Sequence, residues 1–418
     1  MRWVLLLSLL SAGCRGPGAV SPLPVARVVV APAPVSTAAA SPAPPPSVRV
    51  DGAPPRIRFG AITISGSLPP LTVQRTVRRH YEAFRRCYES RLAANPKLEG
   101  RVVVRLVVGD DGAVRKLQKG GSDVPDPELI DCATAEFART VFQKSGSETT
   151  VVYPIMFAPP WNGAPAGMLP VPGGWFVMGS DTGGQEDEHP SHLVKVEGFF
   201  LDRTAVTNRA YDECVHAGKC RAPAASSTGS FGPDAAFRGP EQPVSSISWD
   251  DAHTYCAFVG KRLPTEAEFE RAARGDDERM YPWGDEPPTP DRAVFVTTRT
   301  AIVGTHPAGA GPYGHVDLAG NVWEWIEDPY DPYAYRRRGA GRGVPGTCPE
   351  IVATQDALRS SGQQGFTGSN PIPTECEHVL RGGAFNYGGD GLRATNRVHH
   401  PGRFTLIMSG VRCAKDVD

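Results

Sequence analysis

Nine cysteines constrain this chain more than any other feature of its 418 residues. One of them, Cys14, stands behind a positive start, Met1-Arg2, and an apolar run over residues 3–10. That run is too short to span a bilayer and has the order of a targeting segment. Setting Cys14 aside leaves eight, an even number in a chain marked for export, where disulfides form and persist. No CxxC or HxxxH spacing accompanies them, so a zinc site is not expected. The expectation is a disulfide-held fold without a free thiol.

The formal net charge of -1 supplies no electrostatic footprint for nucleic acid. Residues 1–13, ending in LSAG before Cys14, resemble a bacterial lipoprotein signal, in which that cysteine is acylated and becomes the new N-terminus. Three acyl chains would hold the protein to a membrane far more firmly than one. Arg15 rather than Asp follows the cysteine, which by analogy with Gram-negative sorting favours a periplasm-facing outer-membrane lipoprotein. Residues 14–59 include APAPVSTAAASPAPPPS, with too few large apolar groups for a core. This Pro/Ala-rich linker reads as an extended tether.

Residues 60–158 have the periodicity of a folded unit. Val73, Val77, Tyr81, Phe84 and Tyr88 recur at helical spacing, RVVVRLVV forms a strand, and Gly109-Asp110-Asp111-Gly112 turns it back into AVRKLQ. A helix around PELIDCATAEFARTVF and a strand, TTVVYPIMF, follow. With Cys87 and Cys132 on its two helices, this unit resembles the AgmX/PglI-type domain, a relative of the TonB C-terminal domain, which implies partner binding rather than catalysis. Arg75, Arg78, Arg79, Arg85 and Arg86 form either a solvated helix face or a surface for an acidic partner.

From 168 to 416 the chain runs through MLPVPGGWFVMGS, VEGFFLDRTAVTN, KRLPTEAEFERAARG, YPWGDE, GNVWEW and LRGG to GVRCA. Together these blocks resemble the formylglycine-generating enzyme, or sulfatase-modifying factor, family. The expected fold class is therefore α+β: a small TonB-like αββαβ domain, then a loop-rich, C-type-lectin-like sulfatase-modifying-factor fold. Thr265 and Glu268 read as the capping box of the one clear helix, TEAEFERAAR. The resemblance implies a bond between Cys256 and Cys413 joining the two ends of the domain. Cys87 with Cys132 and Cys214 with Cys220 are paired by position, which leaves Cys348 with Cys376.

Oxidase members of this family carry RGGS followed by two cysteines that bind copper. Here the segment reads Arg381-Gly382-Gly383-Ala384, with Tyr387 and Leu392 at the cysteine positions and glycine-rich 388–391 between them. A phenol and an aliphatic chain cannot replace two soft thiolates, so copper is not expected. The resemblance also implies a structural calcium ion held by Asp317, Gly320, Val322 and Glu324, while AVFV at 293–296 marks a second calcium site as lost. Trp323 and Trp325 read as core, and His189, His192, His399 and His400 make no complete metal triad. Arg381, Asn386, Tyr387, Arg393 and Arg397 outline the groove left for a ligand, although Arg381 and Arg397 equally suit buried structural roles. The function expected is recognition of a protein or peptide partner at the cell envelope. The alternatives are an oxidoreductase using other residues and a structural envelope scaffold.

Overall fold

The computed structural model describes residues 55–160, 163–225, 234–339, 346–362 and 374–417. The signal segment, Cys14 and nearly all of the linker lie outside them. Asp51–Asp418 forms one compact unit.

Its N-terminal lobe runs β1 (Arg56–Phe59), β2 (Thr63–Ser65), α1 (Pro70–Arg78), α2 (Tyr81–Leu92), β3 (Gly100–Val108), β4 (Val114–Lys119), α3 (Pro127–Arg139) and β5 (Thr149–Ala158). The sheet order is β1-β5-β3-β4 with β2 also on β5, all antiparallel. Strict in-out alternation along β5 puts Val151, Tyr153, Ile155 and Phe157 into the core, where α1, α2 and α3 cover them. Asp126 caps α3 by accepting from Leu129 N at 2.8 Å. The β3–β4 turn requires glycine at 112: φ is 87°, and a Cβ there would meet the Phe142 carbonyl oxygen at 2.1 Å.

Two features differ from the sequence expectation. Two short strands precede the first helix, and that helix is broken at Arg79 and His80 into α1 and α2. The five periodic residues are nevertheless all buried, because the break keeps both segments facing one core.

The remainder continues with β6 (Met168–Val171), β7 (Gly174–Met178), β8 (His192–Val196), β9 (Phe199–Asp202), α4 (Asn208–His216), α5 (Trp249–Phe258) and α6 (Glu266–Arg274). Then follow β10 (Trp323–Pro329), α7 (Ala334–Gly339), α8 (Cys348–Ser360), β11 (Glu377–Arg381), β12 (Val398–Pro401), β13 (Ser409–Gly410) and β14 (Ala414–Asp416). Its strands are short and form three small sheets, β12-β11-β10-β13, β14-β9-β6 and β7-β8, so loops carry much of the chain. The class is α+β. Disulfides join Cys87–Cys132, Cys214–Cys220, Cys256–Cys413 and Cys348–Cys376.

Arg78 ties the two lobes together. It is fully buried and reaches the Trp175 carbonyl and, at 3.0 Å, Asp276. Arg75 pairs with Glu278 at 2.6 Å and Asp181 at 3.0 Å, and Arg279 answers with Glu82 at 3.3 Å. Arg75 and Arg78 of the arginine face thus meet carboxylates of the same chain, Asp181, Asp276 and Glu278, while Arg79 and Arg86 stay exposed.

Candidate functional site

Helix α6 organises the region. Thr265 Oγ1 accepts from Glu268 N and the Glu268 carboxylate accepts from Thr265 N, so the capping box fixes where the helix starts. All nine residues of α6 are buried, including two arginines and three glutamates. Burial of so many charges is tolerable only where each is paired.

Segment 381–397 wraps against this helix. Arg381 donates to Glu270 at 2.6 Å, lies 3.4 Å from Glu266, and donates to the carbonyls of Ala394 and Thr395. Arg397 donates to Glu266 at 2.6 Å and to the Asp187 carbonyl at 2.9 Å, with its guanidinium over the rings of Tyr330 and Tyr335. Arg381 is 0% and Arg397 2% exposed, which removes both from any ligand groove and makes them braces of the loop. Arg393 forms a bidentate pair with Glu188, at 2.5 and 2.8 Å. Burial raises the Glu188 carboxyl, but Arg393 and Thr395 outweigh it and hold the group below its ordinary range. Asn386 is half-buried, and its Oδ1 has no hydrogen-bond partner among the described residues.

The two positions where oxidases carry cysteines are filled by apolar packing. Leu392 is fully buried in a small cluster with Tyr281, Ala293 and Ala319. Tyr387 packs on the same cluster and meets Trp323 edge-on at 5.2 Å. The turn before them needs glycine at 383, where φ is 79° and a Cβ would meet the Gly391 carbonyl oxygen at 2.7 Å. Among the described residues every cysteine is in a disulfide, so no thiolate is available there.

Trp325 is core, its Nε1 donating to the Ile247 carbonyl at 2.9 Å, and Trp323 is likewise buried. The histidines do not converge. His189 and His192 hydrogen-bond the carbonyls of Ser180 and Pro190, while His399 pairs with Glu377 and stacks on Tyr330. Among the described residues no three His, Cys, Asp or Glu side chains gather to hold a metal.

The calcium expectation is tested by its own donors. Glu324 is buried, and Arg412 donates to both of its oxygens, at 2.5 and 2.8 Å. The same guanidinium donates to the carbonyls of Val316 and Asp317, and Asp317 Oδ2 accepts from Gly304 N at 2.6 Å. Burial raises both carboxyls, more than Arg412 lowers them. A side-chain cation thus already engages Glu324, and calcium at these donors would have to share the carboxylate with it or displace it. Chelator and added calcium are accordingly expected to leave the melting temperature unchanged, whereas Glu324→Gln lowers it in either buffer. Stabilisation by calcium that Glu324→Gln abolishes would restore the metal reading.

The sequence reading missed the acidic run behind the arginine face. Gly275-Asp276-Asp277-Glu278 immediately follows the capped helix, and three consecutive carboxylates after a buried helix were the available signal.

Comparison with known proteins identifies the family. A family model described as "Sulfatase-modifying factor enzyme 1-like domain" matches residues 157–417. Hercynine oxygenase of Mycolicibacterium thermoresistibile is 32% identical over 279 residues, covering 58% of this chain and 57% of that protein. The formylglycine-generating enzyme of Thermomonospora curvata is 34% identical over 215 residues, 39% of this chain and 71% of that protein. The inactive C-alpha-formylglycine-generating enzyme 2 of Bos taurus is 35% identical over 220 residues, 40% of this chain and 73% of that protein. The chain spans little more than half the length of the oxygenase. With the family model matched over well over half its residues, this chain belongs to the sulfatase-modifying factor enzyme 1-like domain family.

Proposed function

We propose that this chain is a non-oxidising binding module of the bacterial cell envelope. The observation that carries the reading is the packing of Tyr387 and Leu392 into an apolar cluster while every described cysteine is held in a disulfide. A soft metal and a substrate thiol both require a thiolate to exchange with, and none is present there. The similarity to a relative named as inactive agrees with this reading.

The partner proposed is a protein or peptide, taken at the edge formed by Asn386, Tyr387 and the adjoining loop. Val296 donates its backbone N–H to the Tyr387 carbonyl at 3.1 Å, and the residue is 69% exposed with φ at 50°. A β-branched residue held exposed in the left-handed region is strained, a feature that concentrates at recognition and catalytic sites. Acylation at Cys14 and a periplasm-facing outer-membrane location complete the proposal, along with a TonB-like relation for the N-terminal lobe and a C-type-lectin-like one for the rest.

A second reading is favoured by the names of two relatives, an oxygenase and a formylglycine-generating enzyme: an oxidoreductase working through other residues. One experiment separates the two. The purified chain is titrated with Cu(I) and then incubated aerobically with a Cys-x-Pro-x-Arg peptide, with aldehyde followed by mass spectrometry. The expected outcome is neither copper retention nor aldehyde. Turnover above the metal-free control would establish the oxidase.

A further inference from the structure

A cleft of about 1080 Å³ opens where the N-terminal lobe meets the rest of the molecule. Its walls are α1 and the start of α2, the glycine-rich loop 179–184 after β7, and the segment 274–285 after α6. It adjoins the filled cysteine positions: Trp283 packs on the cluster that holds Leu392, and Arg393 reaches the rim.

The charge on these walls is distinctive. Five arginines and five carboxylates line the cleft, so its formal charge cancels. Most are already committed to one another: Arg75 to Asp181 and Glu278, Arg279 to Asp277 and Glu82. An ionic ligand engaging these committed residues would have to break such pairs and leave a charge uncompensated, which is costly when the group is partly buried. A neutral ligand rich in hydroxyls would instead add hydrogen bonds to the lone pairs and N–H groups that the pairs leave over.

Other features point the same way. Among the described residues Trp283 and Met280 are the only large apolar side chains on the walls, so these walls do not resemble the apolar pocket that anchors a peptide side chain. Trp283 is held as a platform: it stacks on Tyr281 at 5.2 Å and 5°, and its Nε1 donates to the Glu286 carbonyl at 2.9 Å. A rigid aromatic face suits the C–H face of a sugar ring. Loop 179–184 carries glycines at 179, 183 and 184, so bare backbone borders the opening. Arg79, exposed on the opposite wall, makes no side-chain ion pair or hydrogen bond with any described residue. Glu278 sits at φ 60° with a buried Oε1 that lacks a partner among the described residues, so a strained residue lies in the cleft wall.

We propose that this interlobe cleft binds a neutral oligosaccharide, stacked on Trp283 and hydrogen-bonded by Arg79 and the paired charges around it. The proposal goes beyond the binding-module reading and does not depend on it, since the aldehyde assay reports thiol oxidation and calorimetry reports sugar binding. It would give the protein a glycan contact in addition to any protein partner.

The test uses the full chain against a panel of neutral oligosaccharides, comprising α- and β-glucans, mannans, galactans and β-1,4-linked N-acetylglucosamine oligomers, alongside a peptide panel of varied charge. Hits are measured by calorimetry in low and high salt. The expected result is oligosaccharide binding that is insensitive to salt, because no charge is exchanged. It should weaken about tenfold in Trp283→Ala. Arg79→Ala, an exposed position that leaves the fold untouched, should weaken it about threefold. Preference for hexose or for N-acetylhexosamine oligomers then identifies the glycan source. Absence of binding across the sugars, affinity unmoved by both substitutions, steep salt dependence, or Trp283-dependent binding of peptides in place of sugars would each overturn the proposal.

Discussion

Replacing Cys256 and Cys413 together by serine is expected to lower the unfolding free energy by about 5 kcal/mol on the chain-entropy account, the largest effect of any single cross-link. The bond spans 157 residues, against 45 for Cys87–Cys132, 28 for Cys348–Cys376 and 6 for Cys214–Cys220. It also fastens β14 to the fold. Cys413 stands just before that strand, which pairs with β9, and the Cys413 backbone N–H donates to Asp202 at 2.9 Å. Substituting both partners avoids an exposed thiol that could exchange with the other bonds. Urea denaturation of this variant beside Cys214→Ser/Cys220→Ser checks the ranking: the short loop should cost about 2 kcal/mol on the same account. Equal losses in the two variants would show that loop length does not set the contribution.

What the sequence made legible was local chemistry. The capping box of Thr265 and Glu268 is written in adjacent residues, and the structure contains it. The family blocks and the absence of two thiols at Tyr387 and Leu392 are likewise properties of short segments. What it hid depends on residues far apart. Arg381 and Arg397 were candidates for a ligand groove because nothing nearby says where Glu266 will be, 115 and 131 positions away. The break between α1 and α2 has the same origin. Val77-Arg78-Arg79-His80-Tyr81 contains no glycine or proline, and the periodicity passes through it undisturbed. Arg78 ends α1 where it meets Asp276, 198 positions on, so tertiary pairing overrides a continuous local helix signal. The Glu324 expectation turned on Arg412 for a comparable reason, since the guanidinium lies 88 positions from the carboxylate it engages.

Glu266→Ala is expected to cost about 3–5 kcal/mol, because it strips the carboxylate from two buried guanidiniums at once. Arg397 loses the partner at 2.6 Å, and Arg381 is left with Glu270 and two carbonyls. Neither arginine can respond by losing its proton or reaching water, so the charge stays buried. Glu266→Gln keeps the shape and one acceptor, and about 1–3 kcal/mol is expected from it. The order of the two variants in denaturant unfolding is therefore the diagnostic quantity. It also bears on how a family domain can lose its thiols and keep its fold. The braces that hold segment 381–397 against α6 are separate from Tyr387 and Leu392, so the cysteine positions can change to apolar residues without loosening the loop. Loss below about 1 kcal/mol in Glu266→Ala, the level of an exposed pair, would mean that the loop is held by its apolar cluster instead.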